Sequence, residues 1–189
     1  MITGIIMASG FSKRMGKNKL LMEFRGKTLI EYVFEELKKV HFKEVVVVSQ
    51  YNEVLEIGKK YGFTCVLNKN SHLGQSESIK LGIINSLDSD GYMFFVGDQP
   101  LIDEKYINTL IEAFYEDKEH IIIPRYKEKN GNPVIFPKEK KEELLSLRDD
   151  ERGKKVIKNS NNVKFVQVSE NMLLDVDTID DFERIKKLI

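Results

Sequence analysis

The chain has 189 residues with 30 basic and 30 acidic side chains, a balance that excludes a general electrostatic role on nucleic acids or membrane surfaces. Its one cysteine, Cys65, excludes a disulfide framework and a metal site built from several cysteines. No apolar run approaches the roughly 18 residues of a membrane span, and the first residues are typical of a strand rather than a secretory signal, so we expect a soluble, cytoplasmic, globular protein of one domain over residues 1–189.

Short apolar runs alternate with amphipathic stretches along the chain, which is typical of an α/β protein. The runs predict strands at residues 2–7, 45–48, 63–67, 92–96, 121–123, 134–136 and 163–168. The amphipathic stretches predict helices at residues 29–40, 53–61, 76–87, 103–116 and 178–189. Several runs are apolar at nearly every position, as in parallel strands that are covered on both faces. We therefore predict a three-layer α/β fold with a mostly parallel central sheet and a β-hairpin insertion near residues 124–137.

A basic loop follows the first predicted strand, at the sheet edge where α/β proteins bind ligands. It begins Met7-Ala8-Ser9-Gly10, and four cations, among them Arg14 and Lys19, fall between residues 13 and 19. Glycine lets backbone N–H groups approach a phosphate, and the cations neutralise its charge. The spacing differs from that of a P-loop and of a dinucleotide-binding loop. The loop is therefore either a polyphosphate site or a solvated basic turn, and we expect Lys19 to be exposed.

Two acidic turns are predicted at the same edge of the sheet. Asp98 follows the buried strand at residues 92–96, and a carboxylate beside a polyphosphate would be repulsive unless a divalent cation lay between them. Asp175 and Asp177 precede the last helix, and in an extended segment both side chains would point the same way. An ordinary turn is the alternative for Asp98. Helix capping is the alternative for Asp177, and it does not exclude a metal role.

These motifs resemble those of the nucleotidyltransferases. Residues 7–21 (MASGFSKRMGKNKLL) and 26–29 (GKTL) resemble the signature loop of that superfamily. Gly97-Asp98-Gln99-Pro100 resembles the metal-binding turn of the molybdenum cofactor cytidylyltransferases, within the MobA-like NTP transferase family. The resemblance implies a Rossmann-like fold and an enzyme that transfers CMP from CTP to molybdopterin with release of pyrophosphate. It also suggests a molybdenum hydroxylase as a partner, and it implies no nucleic-acid or membrane partner.

The resemblance also implies roles for single residues. Phosphate contacts and catalysis are expected of Arg14 and Lys19, together with Asp98. Mg²⁺ is expected to bind Asp98 and Asp177. The other expected nucleotide-binding residues are Met7, Ala8, Ser9, Gly10, Asn68, Gly74 and Ser76, although a plain N-capping loop explains Ser76 nearly as well. Asn132 and Pro133 are expected on the acceptor side, with a hairpin turn as the alternative. The match at residues 150–155 is looser, with Lys155 in place of the arginine of the family motif.

The base of the donor and the acceptor are less constrained by the motifs. Asn68 stands where guanylyl-transferring relatives carry a base-reading aspartate, so CTP is expected to be preferred over GTP. One rival function is the same donor chemistry on a sugar or polyol phosphate. The other is a non-catalytic protein that delivers the molybdenum cofactor to its hydroxylase.

Overall fold

The computed structural model describes residues 1–12 and 15–189. Arg14 therefore lies outside the described residues, as does Lys13. The strands are β1 (Thr3–Met7), β2 (Glu23–Phe24), β3 (Lys27–Thr28), β4 (Glu44–Ser49), β5 (Thr64–Leu67), β6 (Gly91–Val96), β7 (Ile121–Tyr126), β8 (Lys129–Asn130), β9 (Val134–Pro137) and β10 (Val163–Gln167). The helices are α1 (Leu29–Lys39), α2 (Asn52–Lys60), α3 (Gln75–Ile84), α4 (Glu104–Glu116), α5 (Lys141–Leu145), α6 (Gly153–Lys158) and α7 (Ile179–Lys186).

The central sheet is mostly parallel, as predicted. Its order is β10-β7-β9-β6-β1-β4-β5, with β8 paired to β7. The pairs β1–β4, β1–β6, β4–β5 and β7–β10 are parallel. β9 runs antiparallel to both of its neighbours, β6 and β7. The predicted hairpin insertion is thus confirmed, and its return strand lies inside the sheet rather than at an edge.

Successive side chains of the central strands enter two different cores, which confirms the three-layer architecture. Ile6 and Phe95 belong to the core that includes side chains of α1, α2 and α4. Their neighbours Ile5 and Phe94 belong to the core that includes side chains of α3, α5 and α6. Because side chains of a strand alternate between its faces, strands that are apolar at every position fit only a sheet covered on both sides.

The predicted strands and long helices are all present, and their ends differ from the prediction by up to three residues. The sequence prediction lacked the antiparallel pair β2–β3, the short strand β8 and the short helix α6. Elements of two to six residues carry too few periods for a pattern to identify them. Within residues 1–12 and 15–189, no helix has the length and apolar character to cross a bilayer.

A small third core fixes the chain on either side of the sheet edge. It contains Met22, Leu29, Val176, Phe182 and Ile185. Met22 directly follows a 3₁₀ turn at Lys19–Leu21, and Val176 lies in the segment before α7. This core therefore holds the basic loop and the acidic segment against one another.

The start of α7 is fixed by a capping box. Thr178 Oγ1 accepts a hydrogen bond from Asp181 N at 3.2 Å, and Asp181 Oδ2 accepts one from Thr178 N at 2.8 Å. The same carboxylate oxygen accepts from Asp177 N at 3.1 Å. Thr178 and Asp181 therefore cap the helix, and the side chain of Asp177, for which capping was the alternative role, makes other contacts.

The hydrogen bonds from the Thr178 hydroxyl and from the N–H groups of Thr178 and Asp177 hold the pKa of Asp181 below its ordinary value of 3.8. Its stabilising contribution is therefore present above pH 3.8 and is lost as the pH falls below that value. Asp181→Ala should lower the free energy of unfolding by about 1 kcal/mol at pH 7. Urea denaturation at pH 7 and pH 3 measures this difference, which should shrink at the lower pH. Asp180→Ala is the matched control, and an equal loss from both variants would contradict the assignment.

Candidate active site

Two adjoining cavities open beyond the carboxyl ends of β1 and β6. The first measures about 470 Å³, and its wall includes residues 7–12 together with Lys19 and Gly74. The second measures about 570 Å³, and its wall includes residues 130–132 and Asp175. Both walls contain Met7, Gln75, Val96, Asp98 and Arg152. The cavities therefore meet at the carboxyl ends of the two central strands, where the sequence predicted the site.

The loop after β1 is anchored by side chains at the carboxyl end of the neighbouring strand β4 and just beyond it. The bonds run from Ser49 Oγ to Ala8 O at 2.9 Å, from Gln50 Nε2 to Ser9 O at 2.7 Å and from Tyr51 Oη to Gly10 O at 3.0 Å. In the described part of the chain, the N–H groups of Ser9 and Gly10 have no hydrogen-bond partner. The backbone carbonyls of the loop thus accept hydrogen bonds from protein side chains, whereas two of its N–H groups are available to donate to a bound anion.

Lys19 is held in place by the turn in which it lies. Asn18 Oδ1 accepts a hydrogen bond from Leu20 N at 3.1 Å, and Ser12 Oγ accepts one from Lys19 N at 3.2 Å. Ser12 itself has a left-handed backbone, with φ of 48°. Lys19 is only 9% exposed. The expectation that it is an exposed loop side chain is therefore wrong, because the turn directs the side chain inward, between the two acidic segments.

The ammonium of Lys19 joins the two predicted carboxylates. Lys19 Nζ lies 2.6 Å from Asp98 Oδ2 and 2.9 Å from Asp177 Oδ1. Burial alone would lower the pKa of Lys19, but the charges and hydrogen bonds of Asp98 and Asp177 outweigh burial, and the pKa is raised above 10.5. Lys19 therefore remains charged at neutral pH.

Two contacts hold the acidic segments side by side. Val176 N donates a hydrogen bond to Asp98 O at 2.9 Å. Gln99 Nε2 donates to Asp175 Oδ1 at 2.7 Å. Asp177 consequently meets Lys19, whereas Asp175 lines the second cavity. Although Asp175 is exposed in part, the protein around its carboxyl displaces water and raises its pKa, and the charges of Asp98 and Asp177 raise it further.

The pair of Asp98 and Asp177 has the donor chemistry that Mg²⁺ prefers. Two carboxylates already bracket one cation, and Mg²⁺ is commonly held by one or two carboxylates while substrate phosphates and water complete its shell. Among the described residues, no group of three or more His, Cys, Asp and Glu side chains is placed to hold a metal. The pair fits an ion that is shared with a bound phosphate, and the role of these residues as metal ligands stays a prediction.

The other predicted nucleotide-binding residues are not all in the cavity wall. Gly74 lines the first cavity. Asn68 is 1% exposed, and its amide donates to Ser9 Oγ at 3.3 Å and to Ser78 Oγ at 3.2 Å. Ser76 is fully buried and donates to Asp149 O at 2.7 Å. The prediction that Asn68 and Ser76 contact the nucleotide is therefore corrected. Both side chains are buried behind the cavity wall and support it, because their polar groups form hydrogen bonds with the protein.

On the acceptor side, Asn132 lines the second cavity and Pro133 is buried next to it. Sequence reasoning missed three basic residues in this wall: Arg152, Lys154 and Lys158. The looser motif match directed attention to Lys155, but Lys155 pairs instead with Glu151 at 2.5 Å. The spacing of Lys154 and Lys158, one helical turn apart, was the available signal.

The loop with two N–H donors, the buried lysine and the two carboxylates lie at the junction of two cavities at the sheet edge, and they define an α/β protein whose site is suited to a phosphorylated ligand. Residues 4–164 match the MobA-like NTP transferase domain, and the chain belongs to that family.

Individual relatives agree with this placement. A probable molybdenum cofactor guanylyltransferase from Natranaerobius thermophilus is 34% identical over 125 residues, which cover 65% of this chain and 60% of the relative. A 3-deoxy-manno-octulosonate cytidylyltransferase from Fusobacterium nucleatum is 28% identical over 167 residues, which cover 86% of this chain and 57% of the relative. The chain therefore spans about 60% of the length of these curated relatives.

Solved structures share the fold over the whole chain. A protein from Mycobacterium sp. strain JC1, described as a homologue of Rv0371c of Mycobacterium tuberculosis, superposes with a TM-score of 0.87 at 25% identity. The superposition covers 99% of this chain and 96% of that one.

Gly74 provides a stability test of the first cavity's wall. Its φ is +100°, and an added Cβ would lie 2.5 Å from Asp149 O. Gly74→Ala should therefore cost about 2 kcal/mol of unfolding free energy, because the left-handed backbone and a backbone clash both oppose the methyl group. Gly10→Ala is the matched control, since an added Cβ there meets nothing within 4 Å. Urea denaturation of both variants checks the prediction, and equal midpoints would contradict it.

Proposed function

We propose that this protein is a Mg²⁺-dependent nucleotidyltransferase that transfers CMP from CTP to molybdopterin and releases pyrophosphate. We place the reaction in the cytoplasm and take a molybdenum hydroxylase as the recipient of the product. The observation that carries the proposal is the position of Asp98, which lies in the wall of both cavities and in contact with Lys19. A donor phosphate in one cavity and an acceptor phosphate in the other would meet at this point.

The first cavity is suited to the donor nucleotide. Its volume of about 470 Å³ falls within the usual range for small-molecule sites. The N–H groups of Ser9 and Gly10 and the ammonium of Lys19 supply donors and positive charge for a triphosphate. Arg14, which lies outside the described residues, is proposed to add a second phosphate contact on the strength of the family motif.

The second cavity is suited to an anionic acceptor. Arg152, Lys154 and Lys158 bring three positive charges to its wall, as the phosphate of molybdopterin requires. Asn132 and Asp175 lie in the same wall and offer oxygens that accept hydrogen bonds. A pterin carries ring and amino N–H groups, so this combination of cations and acceptors supports molybdopterin.

The chemistry needs positioning and charge neutralisation rather than a covalent enzyme intermediate. An oxygen of the acceptor phosphate attacks the α-phosphorus of the nucleotide, a new P–O bond forms, and the bond to the β-phosphate oxygen breaks so that pyrophosphate leaves with the electron pair. The acceptor oxygen is already ionised at neutral pH, so no general base is required. Lys19 neutralises charge on the donor phosphates. Mg²⁺, when bound by Asp98 and Asp177, would supply further charge neutralisation on the phosphates.

Different observations support CTP and GTP as the donor nucleotide. CTP is supported by Gly97-Asp98-Gln99-Pro100, which resembles the turn of the cytidylyltransferases, and position 68 holds a buried asparagine rather than a carboxylate that could accept the N–H groups of guanine. GTP is supported by the name of the N. thermophilus relative. Asp150 lines the first cavity and is the carboxylate that could read guanine if the relative's donor applies here.

Steady-state assays with CTP and GTP decide between the two donors. With molybdopterin and Mg²⁺ present, kcat/KM from pyrophosphate release should be roughly 10- to 100-fold higher for CTP, because one base contact discriminates by about 1–3 kcal/mol. Comparable values, or a preference for GTP, would overturn the cytidylyl assignment. If GTP is preferred, Asp150→Asn should reduce that preference.

The acceptor is tested in the same assay. Replacing molybdopterin by a sugar phosphate or a polyol phosphate should abolish pyrophosphate release. Release with the sugar phosphate alone would move the protein to that substrate class. Binding of molybdopterin without pyrophosphate release from any nucleotide would instead support a delivery protein.

The metal pair is tested by charge-neutral replacements. Asp98→Asn should lower kcat by at least about a hundredfold, because a bound metal stabilises the transition state by several kcal/mol. Asp177→Asn should be milder, since an amide oxygen can still coordinate a metal ion. Asp180→Asn is the matched control on the exposed first turn of α7. Equal turnover by all three variants would remove the metal assignment, provided that far-ultraviolet circular dichroism shows each to be folded.

A further inference from the structure

The described structure shows an ammonium at the point where the proposed function needs a metal ion. Lys19 Nζ is 2.6 Å from Asp98 Oδ2 and 2.9 Å from Asp177 Oδ1. We propose that Lys19 is an internal counter-ion that occupies the cation site in the nucleotide-free protein and must leave before a divalent ion can bind. The inference rests on the proposed function only for the assignment of these carboxylates to a metal.

The ammonium and a divalent cation exclude one another for two reasons. Each would use the same inward-facing carboxylate oxygens, and Mg–O bonds of about 2.1 Å leave no room for the ammonium between them. Two positive charges in direct contact also repel strongly where the surroundings are partly dehydrated. Lys19 is 9% exposed and the side chains of Asp98 and Asp177 are 22% and 43% exposed, so water screens that repulsion only in part.

The ammonium of Lys19 can also move to a second position, inside the first cavity. It lines the first cavity together with the loop at residues 8–12, and its flexible four-carbon stem can carry the charge a few ångströms without movement of the backbone. A triphosphate in that cavity would offer the ammonium new anionic partners. Nucleotide binding would therefore draw the ammonium away from Asp98 and Asp177 at the moment when phosphate oxygens become available to complete a metal shell.

Two consequences follow for binding. The nucleotide-free protein should bind divalent cations weakly, because the ion must first displace the ammonium. Nucleotide and metal should then bind with positive coupling, which by linkage strengthens both. The arrangement also keeps two neighbouring carboxylates neutralised while the site is without a ligand, so the fold does not depend on a metal.

The first test measures Mn²⁺ affinity in the absence of nucleotide and acceptor, by electron paramagnetic resonance of free Mn²⁺. Lys19→Met should lower the dissociation constant by at least about tenfold relative to wild type, since it removes a cation in direct contact with both carboxylates. Lys17→Met is the matched control, because it makes the same charge change on an exposed side chain of the same loop. Equal or weaker binding by Lys19→Met would overturn the inference. The double variant Lys19→Met/Asp98→Asn should not show this increase in Mn²⁺ affinity, which would locate the ion at Asp98 and Asp177.

A second measurement uses the wild-type protein and covers the case in which Lys19→Met fails to fold. Acetylation of lysines by a limiting acylating reagent is followed by mass spectrometry of the peptide that carries Lys19. Mn²⁺ should raise the labelling of Lys19 several-fold and leave Lys17 unchanged, because displacement breaks the ion pairs that protect the amine. Unchanged labelling at saturating Mn²⁺ would overturn the inference.

Failure here is distinguishable from failure of the proposed function. If the wild-type protein releases pyrophosphate but neither effect on Mn²⁺ binding and lysine labelling is seen, the proposed activity stands and the counter-ion role of Lys19 is wrong. If both effects are seen but no nucleotidyl group is transferred, the cation site stands and the proposed reaction is wrong.

Discussion

Burial of charge at one point constrains the whole sheet edge. An ammonium or a carboxylate removed from water is costly unless an opposite charge meets it directly, and Lys19 can be buried only because Asp98 and Asp177 reach it. These three residues come from the basic loop, the turn after β6 and the segment before α7. Their mutual neutralisation therefore requires three distant parts of the chain to keep a fixed geometry, and the backbone bond from Val176 N to Asp98 O maintains it.

The scaffold supplies that geometry through ordinary packing. β1 lies between β4 and β6, so the loops after all three strands emerge at one edge. The third core joins Met22 to Val176 and Phe182, and in this way a few apolar side chains hold the charged cluster from behind. β9 enters antiparallel between β6 and β7, which brings residues 130–132 beside the cluster and forms the wall of the second cavity. Packing and electrostatics thus select the same arrangement.

The sequence predicted much of the fold, because period-2 and period-3.6 patterns are strong in long elements. It also placed Lys19, Asp98 and Asp177 at one edge of the sheet. Patterns could not show that Lys19 is buried, since exposure depends on where the 3₁₀ turn directs the side chain. They could not separate Gly74, which lines a cavity, from Ser76 and Asn68, which support it, because small and polar residues are frequent throughout residues 68–78 and the pattern does not show which of them is buried. The basic residues of the second cavity were missed because a family motif directed attention to Lys155 rather than to helical spacing.

The division between the two cavities also bears on how one scaffold accepts different substrates. Asp98 and Met7 belong to both walls, so a change at either would disturb donor and acceptor together. Asp150 lies in the first wall, whereas Lys154 and Lys158 lie in the second. Residues of this kind can change without breaking the Lys19 cluster or the sheet. Under the proposed function, the charged cluster fixes the reaction class, while Asp150 and the two lysines of helix α6 set which base and which acceptor are used.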